Sequence, residues 1–72
     1  MSAVNYSFLI DPPEGQRWDA MEITKRLRKV IAPDVGVTIY HNMKPVVVVV
    51  HTEQDIDREQ VEAEIRATST AI

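Results

Sequence analysis

The stretch Lys44-Pro45-Val46-Val47-Val48-Val49-Val50-His51 (KPVVVVVH) decides the fold of this chain. Valine is β-branched and favours extended backbone, so the run predicts a strand. Successive side chains of a strand point to opposite faces of its sheet, and the valines therefore supply apolar groups to both faces. Helices can cover one face of a small sheet. The run therefore raises the question of what covers the other.

The segment before the valines predicts the strand that pairs with them. Val35–His41 alternates between apolar and polar residues, and Asn42–Pro45 is a plausible tight connection, so the two segments predict an antiparallel hairpin. A turn at Met43-Lys44 sets the register, and a change of one residue in that turn would exchange the two faces. The predicted cross-strand pairs are Asn42 with Pro45, Tyr40 with Val47, Thr38 with Val49, and Gly36 with His51.

The remaining elements follow from hydrophobic periodicity and helix-start signals. Val4–Ile10 alternates and predicts a half-buried strand, and residues 16–31 show helical spacing after a capping-box pair that begins at Asp11. Asp57 predicts the N-cap of a second helix. We expect residues 66–72 to fray, and the alternative is that they form a short fourth strand. The predicted inward positions of the helices are Ala20, Ile23, Leu27, Val30, Ile31, Val61 and Ile65.

These elements predict one α+β domain over residues 1–72, with the order β-α-β-β-α in two layers. A right-handed crossover places the first strand beside the valine strand and parallel to it, in the sheet order first-third-second. Both helices then cover one face. The arrangement is ferredoxin-like but lacks the last strand, which leaves the edge of the first strand open.

The helix-free face and that open edge predict a contact surface for a second copy or another protein. The alternative to a contact surface is that the outward valines reflect strand propensity alone. Trp18 beside the first helix is expected in the core or at its edge, and if exposed it would be an interface anchor. The predicted interface residues are Leu9, Thr38, Tyr40, Val47, Val49 and Trp18. Asn5, Ser7 and His51 are predicted to lie on the same sheet face as the strand residues of this set.

Composition narrows the classes of function. The net charge is −3 and there are no cysteines, so neither a basic nucleic-acid footprint nor a thiolate metal site is present. Residues 14–31 carry five positive and three negative charges, and residues 51–66 carry six negative and two positive. Two helices packed side by side would pair these charges. The start at Met1, without a secretory signal or membrane span, predicts a complete cytoplasmic protein.

Catalytic and metal-binding patterns are weak. The serines lie near the termini or in the first strand, without a histidine and a carboxylate at a sharp turn, so we expect no enzyme and no cofactor. His41 and His51 fall at opposite ends of the hairpin, roughly 17 Å apart, and cannot share an ion. A small ligand- or metal-handling role for the loop from His51 to Asp57, with Glu53 and Asp55 as the other weak candidates, is the alternative function.

Two families share features with this chain. The β-α-β-β order resembles heavy-metal-associated domains, but that resemblance implies two cysteines after the first strand, and Asp11–Gly15 stands there instead. Residues 20–65 resemble the small effector proteins of multicomponent diiron monooxygenases, through the helix segment Ile56–Ile65. The second resemblance implies a cofactor-free protein that acts by docking. The helix-free face and the open edge of the first strand predict a non-enzymatic regulatory, inhibitory or accessory subunit, a class that this resemblance illustrates.

Overall fold

A computed structural model describes the backbone of residues 4–71 and confirms the mixed α+β content. Three strands form the main sheet, in which every neighbouring pair is antiparallel, and two helices pack on it. A separate two-stranded ribbon lies outside that sheet. The elements in chain order are β1 (Val4–Leu9), β2 (Gln16–Arg17), α1 (Ala20–Val30), β3 (Gly36–Tyr40), β4 (Val47–Thr52), α2 (Arg58–Arg66) and β5 (Thr70–Ala71).

The valine strand β4 lies at the centre of the sheet, between β1 and β3. It is antiparallel to both neighbours, so the predicted parallel pairing of the first strand with the valine strand is wrong. The reason is the path of the chain. Helix α1 carries the chain back so that β3 runs in the same direction as β1, and the hairpin then reverses the chain into β4 between them.

The hairpin register agrees with the one set by a turn at Met43-Lys44. Tyr40 pairs with Val47, Thr38 with Val49, and Gly36 with His51. β4 continues to Thr52, so His51 and Thr52 are strand residues and the polar loop predicted from His51 begins later. Thr52 is buried, which is tolerable because its hydroxyl donates to Asp34 Oδ1 at 2.7 Å.

Helix α1 begins later than the periodicity predicts. Asp19 is its N-cap, and Asp19 Oδ1 accepts hydrogen bonds from the amides of Met21 at 2.9 Å and Glu22 at 3.3 Å. Asp11 does not cap a helix. Its Oδ1 accepts from the Val46 amide at 3.0 Å, which ties the end of β1 to the start of β4. The capping-box spacing at Asp11 therefore does not mark the start of the helix, because Asp19 caps α1 and Asp11 bonds to a distant strand.

The segment after α2 pairs instead of fraying. Thr70–Ala71 forms β5, which is antiparallel to β2 with Arg17 opposite Thr70. The expectation of fraying is therefore wrong for these two residues, while Ile72 lies outside the described residues. At the other end of α2 the predicted N-cap is confirmed, because Asp57 Oδ1 accepts from the Glu59 amide at 3.0 Å.

The core lies between the helices and one face of the sheet. Both helices contribute buried positions, and an ion pair of 2.9 Å between Arg26 and Glu64 joins them across their exposed sides. Val30, predicted to face inward, is exposed. The buried apolar side chains are Phe8, Ile10, Trp18, Ile23, Leu27, Ala32, Val35, Val48, Val50, Val61 and Ile65.

Candidate interaction surface

The face of the main sheet away from the helices, called here the outer face, consists of three cross-strand rows. Paired residues of a sheet share a face, so the register of the three strands defines each row. All five strand residues of the predicted interface lie on this face. The rows are Asn5–His51–Gly36, Ser7–Val49–Thr38 and Leu9–Val47–Tyr40.

The row at the hairpin end of the outer face is apolar. Leu9 is 64% exposed and Tyr40 is 51% exposed, while Val47 between them is half-buried. Tyr40 combines a large apolar ring with a polar tip, a combination that is common at protein interfaces. These three side chains present a continuous apolar strip to solvent.

The row at the opposite end is polar, with His51 at its centre. His51 Nδ1 lies 2.6 Å from Asn5 Oδ1, and His51 Nε2 lies 3.3 Å from the hydroxyl oxygen of Thr38. A neutral imidazole satisfies both contacts when Nδ1–H donates to the amide oxygen and Nε2 accepts from the hydroxyl. His51 is therefore bonded on the sheet face and is turned toward its strand neighbours.

The outer face carries no formal charge. None of the residues in its three rows is Asp, Glu, Lys or Arg, although the chain as a whole has 19 such residues. Burial of this face against another molecule would therefore desolvate no charged side chain. That property separates the outer face from the charged exposed sides of the helices.

The predicted metal candidates His51, Glu53 and Asp55 do not form a ligand cluster. In the part of the chain that the structure describes, no group of three or more His, Cys, Asp or Glu residues is placed to hold a metal ion.

The nearby carboxylate of Asp34 accepts hydrogen bonds from the end of β4 and from the residue after it. Its Oδ2 accepts from the Glu53 amide at 2.8 Å, and that bond, followed by the one from the Thr52 hydroxyl, lowers the pKa of Asp34 below its ordinary value of 3.8.

Trp18 belongs to the core. It is 1% exposed, and its indole N–H donates to the carbonyl of Ile10 at 2.8 Å. The core interpretation of Trp18 is confirmed, and its inclusion among the interface residues is wrong. The physical reason is that Trp18 precedes α1 and turns back under the end of β1, where its ring fills the core and its donor is satisfied.

The edge of β1, predicted to be open, is covered at its middle by an arginine. The Ile10 amide donates to the Val46 carbonyl at 2.9 Å, and antiparallel bonding alternates, so the peptide groups of Ser7 point away from β4. Arg58 Nη2 donates to the Ser7 carbonyl at 2.7 Å, and its guanidinium carbon lies 4.6 Å from the centre of the Phe8 ring. This contact places a bulky cation across the β1 edge.

The second edge of the sheet is formed by β3, as the predicted sheet order first-third-second implies, but the sequence patterns predict no role for it. By the same alternation, the peptide groups of Val37 and Ile39 point away from β4. An arginine is present here as well, but Arg28 Nε donates to the carbonyl of Val35, before the strand begins, at 2.8 Å. Among the described residues no side chain bonds to the outward peptide groups of Val37 and Ile39. The predicted strand order indicates this edge, but the positions of the arginines on the two edges cannot be predicted from local sequence patterns.

No protein-family model, curated protein or solved structure matches this chain. The resemblances drawn from its sequence therefore gain no support from comparison. Within residues 4–71, no helix is long and apolar enough to cross a membrane.

Proposed function

We propose that this chain is a non-enzymatic protein–protein interaction module, of the kind that serves as a regulatory, inhibitory or accessory subunit. It docks through the outer face, and the occupant of that face is a second copy of the chain. The observation that carries the proposal is the apolar strip of Leu9, Val47 and Tyr40 on a face without formal charge.

The scaffold that we propose for this docking is ferredoxin-like without its last strand. Its support is the strand order β1-β4-β3 and the position of both helices on the inner side of the sheet. The missing strand would pair with β1, and Arg58 stands across that edge. Docking by addition of a strand to β1 is therefore disfavoured relative to docking on the outer face.

The net charge of the chain and the small area of the outer face predict that the dimer is weak. Two copies of a chain with net charge −3 repel each other, but the uncharged outer face brings no like charges into contact. Three strands about 4.8 Å apart and five residues long at about 3.4 Å per residue give a footprint of roughly 250 Å². This is well below the roughly 800 Å² per partner of a standard interface. We therefore expect a reversible dimer that forms at high concentration.

Light scattering over a range of protein concentrations tests this proposal. We expect the average molar mass to rise toward twice the monomer mass, and Val49→Lys, at the centre of the outer face, to abolish the rise. Leu9→Lys provides a second variant at a position that is 64% exposed, where the fold tolerates the change. Met21→Lys is the matched control, because Met21 is 69% exposed on α1.

A mass that stays monomeric at every concentration would overturn the proposed self-association. A dimer that persists in both Val49→Lys and Leu9→Lys would show that the copies meet through another surface. Loss of the dimer in Met21→Lys as well would point to a general effect of added charge and would likewise count against the outer face.

A further inference from the structure

The edge of β3 has the features of a site that accepts an added strand. Val37 and Ile39 together present two amide N–H groups and two carbonyls away from β4, and such edge groups form hydrogen bonds with an extended segment. The contact of Arg28 with Val35 marks where the available edge begins. From this arrangement we infer that the β3 edge binds an extended peptide of another protein by β-strand addition.

A groove beside this edge gives the inference its second, independent support. The groove has a volume of about 380 Å³ and lies between α1 and β3, on the inner side of the sheet. Its lining residues are Ala20, Met21, Thr24, Lys25, Arg28 and Val37. In an added strand, the residues opposite Val37 and Ile39 share their face of the sheet, so their side chains enter this groove.

The groove is lined by both apolar and cationic side chains. Met21 is 69% exposed and, together with Val37, offers apolar contact area. Lys25 and Arg28 line the groove, and no carboxylate does. Lys25 has one distant partner, Glu22 at 3.9 Å, and both side chains of that pair are well exposed. The chemistry of the groove therefore fits apolar side chains followed by a carboxylate.

The geometry specifies the pattern of the peptide. Two apolar residues, separated by one residue, lie opposite Ile39 and Val37 and exchange up to four backbone hydrogen bonds with them. The residue between them points to the outer side, beside Thr38. A Glu or Asp two positions after the second apolar residue lies opposite Val35, on the inner side near Arg28. The inferred partner is thus an acidic, extended segment with alternating apolar residues.

This inference goes beyond docking on the outer face and does not depend on it, because the two surfaces use different residues. A second copy added at β3 is disfavoured, because an antiparallel pairing of two β3 edges would bring the cations of both α1 helices near one another. The peptide also leaves the outer face free, so both contacts can be made by one molecule.

The test is a nuclear magnetic resonance titration of the full chain with acetyl-Glu-Ser-Val-Thr-Val-Ser-Glu-amide. We expect saturable shifts of the Val37 and Ile39 amide resonances at millimolar peptide or below. The matched control peptide replaces both glutamates by lysines and should bind more weakly. Lys25→Glu should weaken binding of the acidic peptide by about fivefold, the effect expected for reversal of one exposed charge, and should favour the lysine peptide.

Met21→Glu places a carboxylate in the groove at an exposed position and should also weaken binding of the acidic peptide, whereas Leu9→Lys should leave it unchanged. The inference is overturned if neither peptide gives saturable shifts, or if both peptides bind equally. Shifts at Asn5 and Leu9 on the β1 edge instead would overturn it too. If the Val37 and Ile39 amide resonances shift with protein concentration in the absence of peptide, the β3 edge binds a second copy of the chain. That result would also overturn the inference that the edge binds a peptide of another protein.

Discussion

The strand β4 places one residue type in two environments. Val48 and Val50 point to the inner side, where they are 0% exposed against the helices, while Val47 and Val49 point to the outer face and are half-buried. All four have the same chemistry and lie in the same strand between the same neighbours. The comparison shows that the register decides which valines hold the fold together and which present a surface.

The largest effect that we expect from this comparison is a difference between two identical substitutions. Val50→Thr puts a hydroxyl among the apolar side chains of the core, and burial of this polar group should lower the free energy of unfolding by about 1–3 kcal/mol. Val49→Thr puts the same hydroxyl on the outer face, where it is hydrated, and should change the free energy of unfolding by no more than about 0.5 kcal/mol. Urea denaturation of both variants and of the parent chain measures the difference.

Equal losses in Val50→Thr and Val49→Thr would contradict the assignment of the two faces. A larger loss in Val49→Thr would mean that the outer face is buried in solution, as it would be in a tight dimer. Measurement at two protein concentrations separates these explanations, because only a dimer has a stability that depends on concentration.

The two faces and the hairpin register could be predicted from sequence because local rules determine them. A connection centred on Met43-Lys44 specifies the pairing of Thr38 with Val49, although the strands end at Tyr40 and begin at Val47, so that residues 41–46 form a longer loop than the predicted one. The N-cap of α2 was predictable for the same reason, since Asp57 and its bonded amides are neighbours in the sequence.

The features that sequence reasoning missed depend on contacts between distant segments. Asp11 has a good capping-box spacing, yet it bonds to Val46, which is 35 positions away. Arg58 covers the β1 edge through Ser7, 51 positions away. No periodicity or local spacing encodes such pairs. The direction of β1 was missed for a related reason, since it depends on how the crossover through α1 orients β3 rather than β4.

The next effect concerns the polar residues at the end of β4, where the two faces differ again. On the inner side Thr52 is buried and held by Asp34, whereas on the outer face His51 is held by Asn5 and Thr38. Asp34→Asn removes the charge that both the Glu53 amide and the Thr52 hydroxyl stabilise. We therefore expect a lower free energy of unfolding at pH 7, measured by urea denaturation.

The pH dependence of Asp34→Asn follows from the lowered pKa of Asp34. Because folding lowers the pKa of this carboxyl below 3.8, its contribution to stability is present above that pH and disappears as the pH falls through the folded-state pKa. The difference between the parent chain and Asp34→Asn should thus be largest near pH 7 and narrow below about pH 4. A difference that stays constant down to pH 2 would show that the charge of Asp34 has no part in it.

The smallest effect that we expect tests the two edges, which differ as the two faces do: one is covered and the other is available. Arg58→Ala removes the hydrogen bond to Ser7 and the contact with the Phe8 ring, and should cost about 1 kcal/mol of unfolding free energy. Arg66→Ala is the matched control, because Arg66 makes an exposed ion pair with Glu62 on the same helix, which is worth at most about 0.5 kcal/mol.

The same two variants should differ in how the β1 edge behaves. Loss of Arg58 leaves the Ser7 carbonyl without its cover, so Arg58→Ala should gain concentration-dependent association through β1 that Arg66→Ala lacks. Light scattering in the Val49→Lys background, in which the outer face is blocked at the central strand and β1 is unchanged, isolates this association from the dimer proposed above. If Arg58→Ala and Arg66→Ala have the same stability and the same molar mass, Arg58 does not prevent association at the β1 edge. In that case β1 would be as available to an added strand as β3.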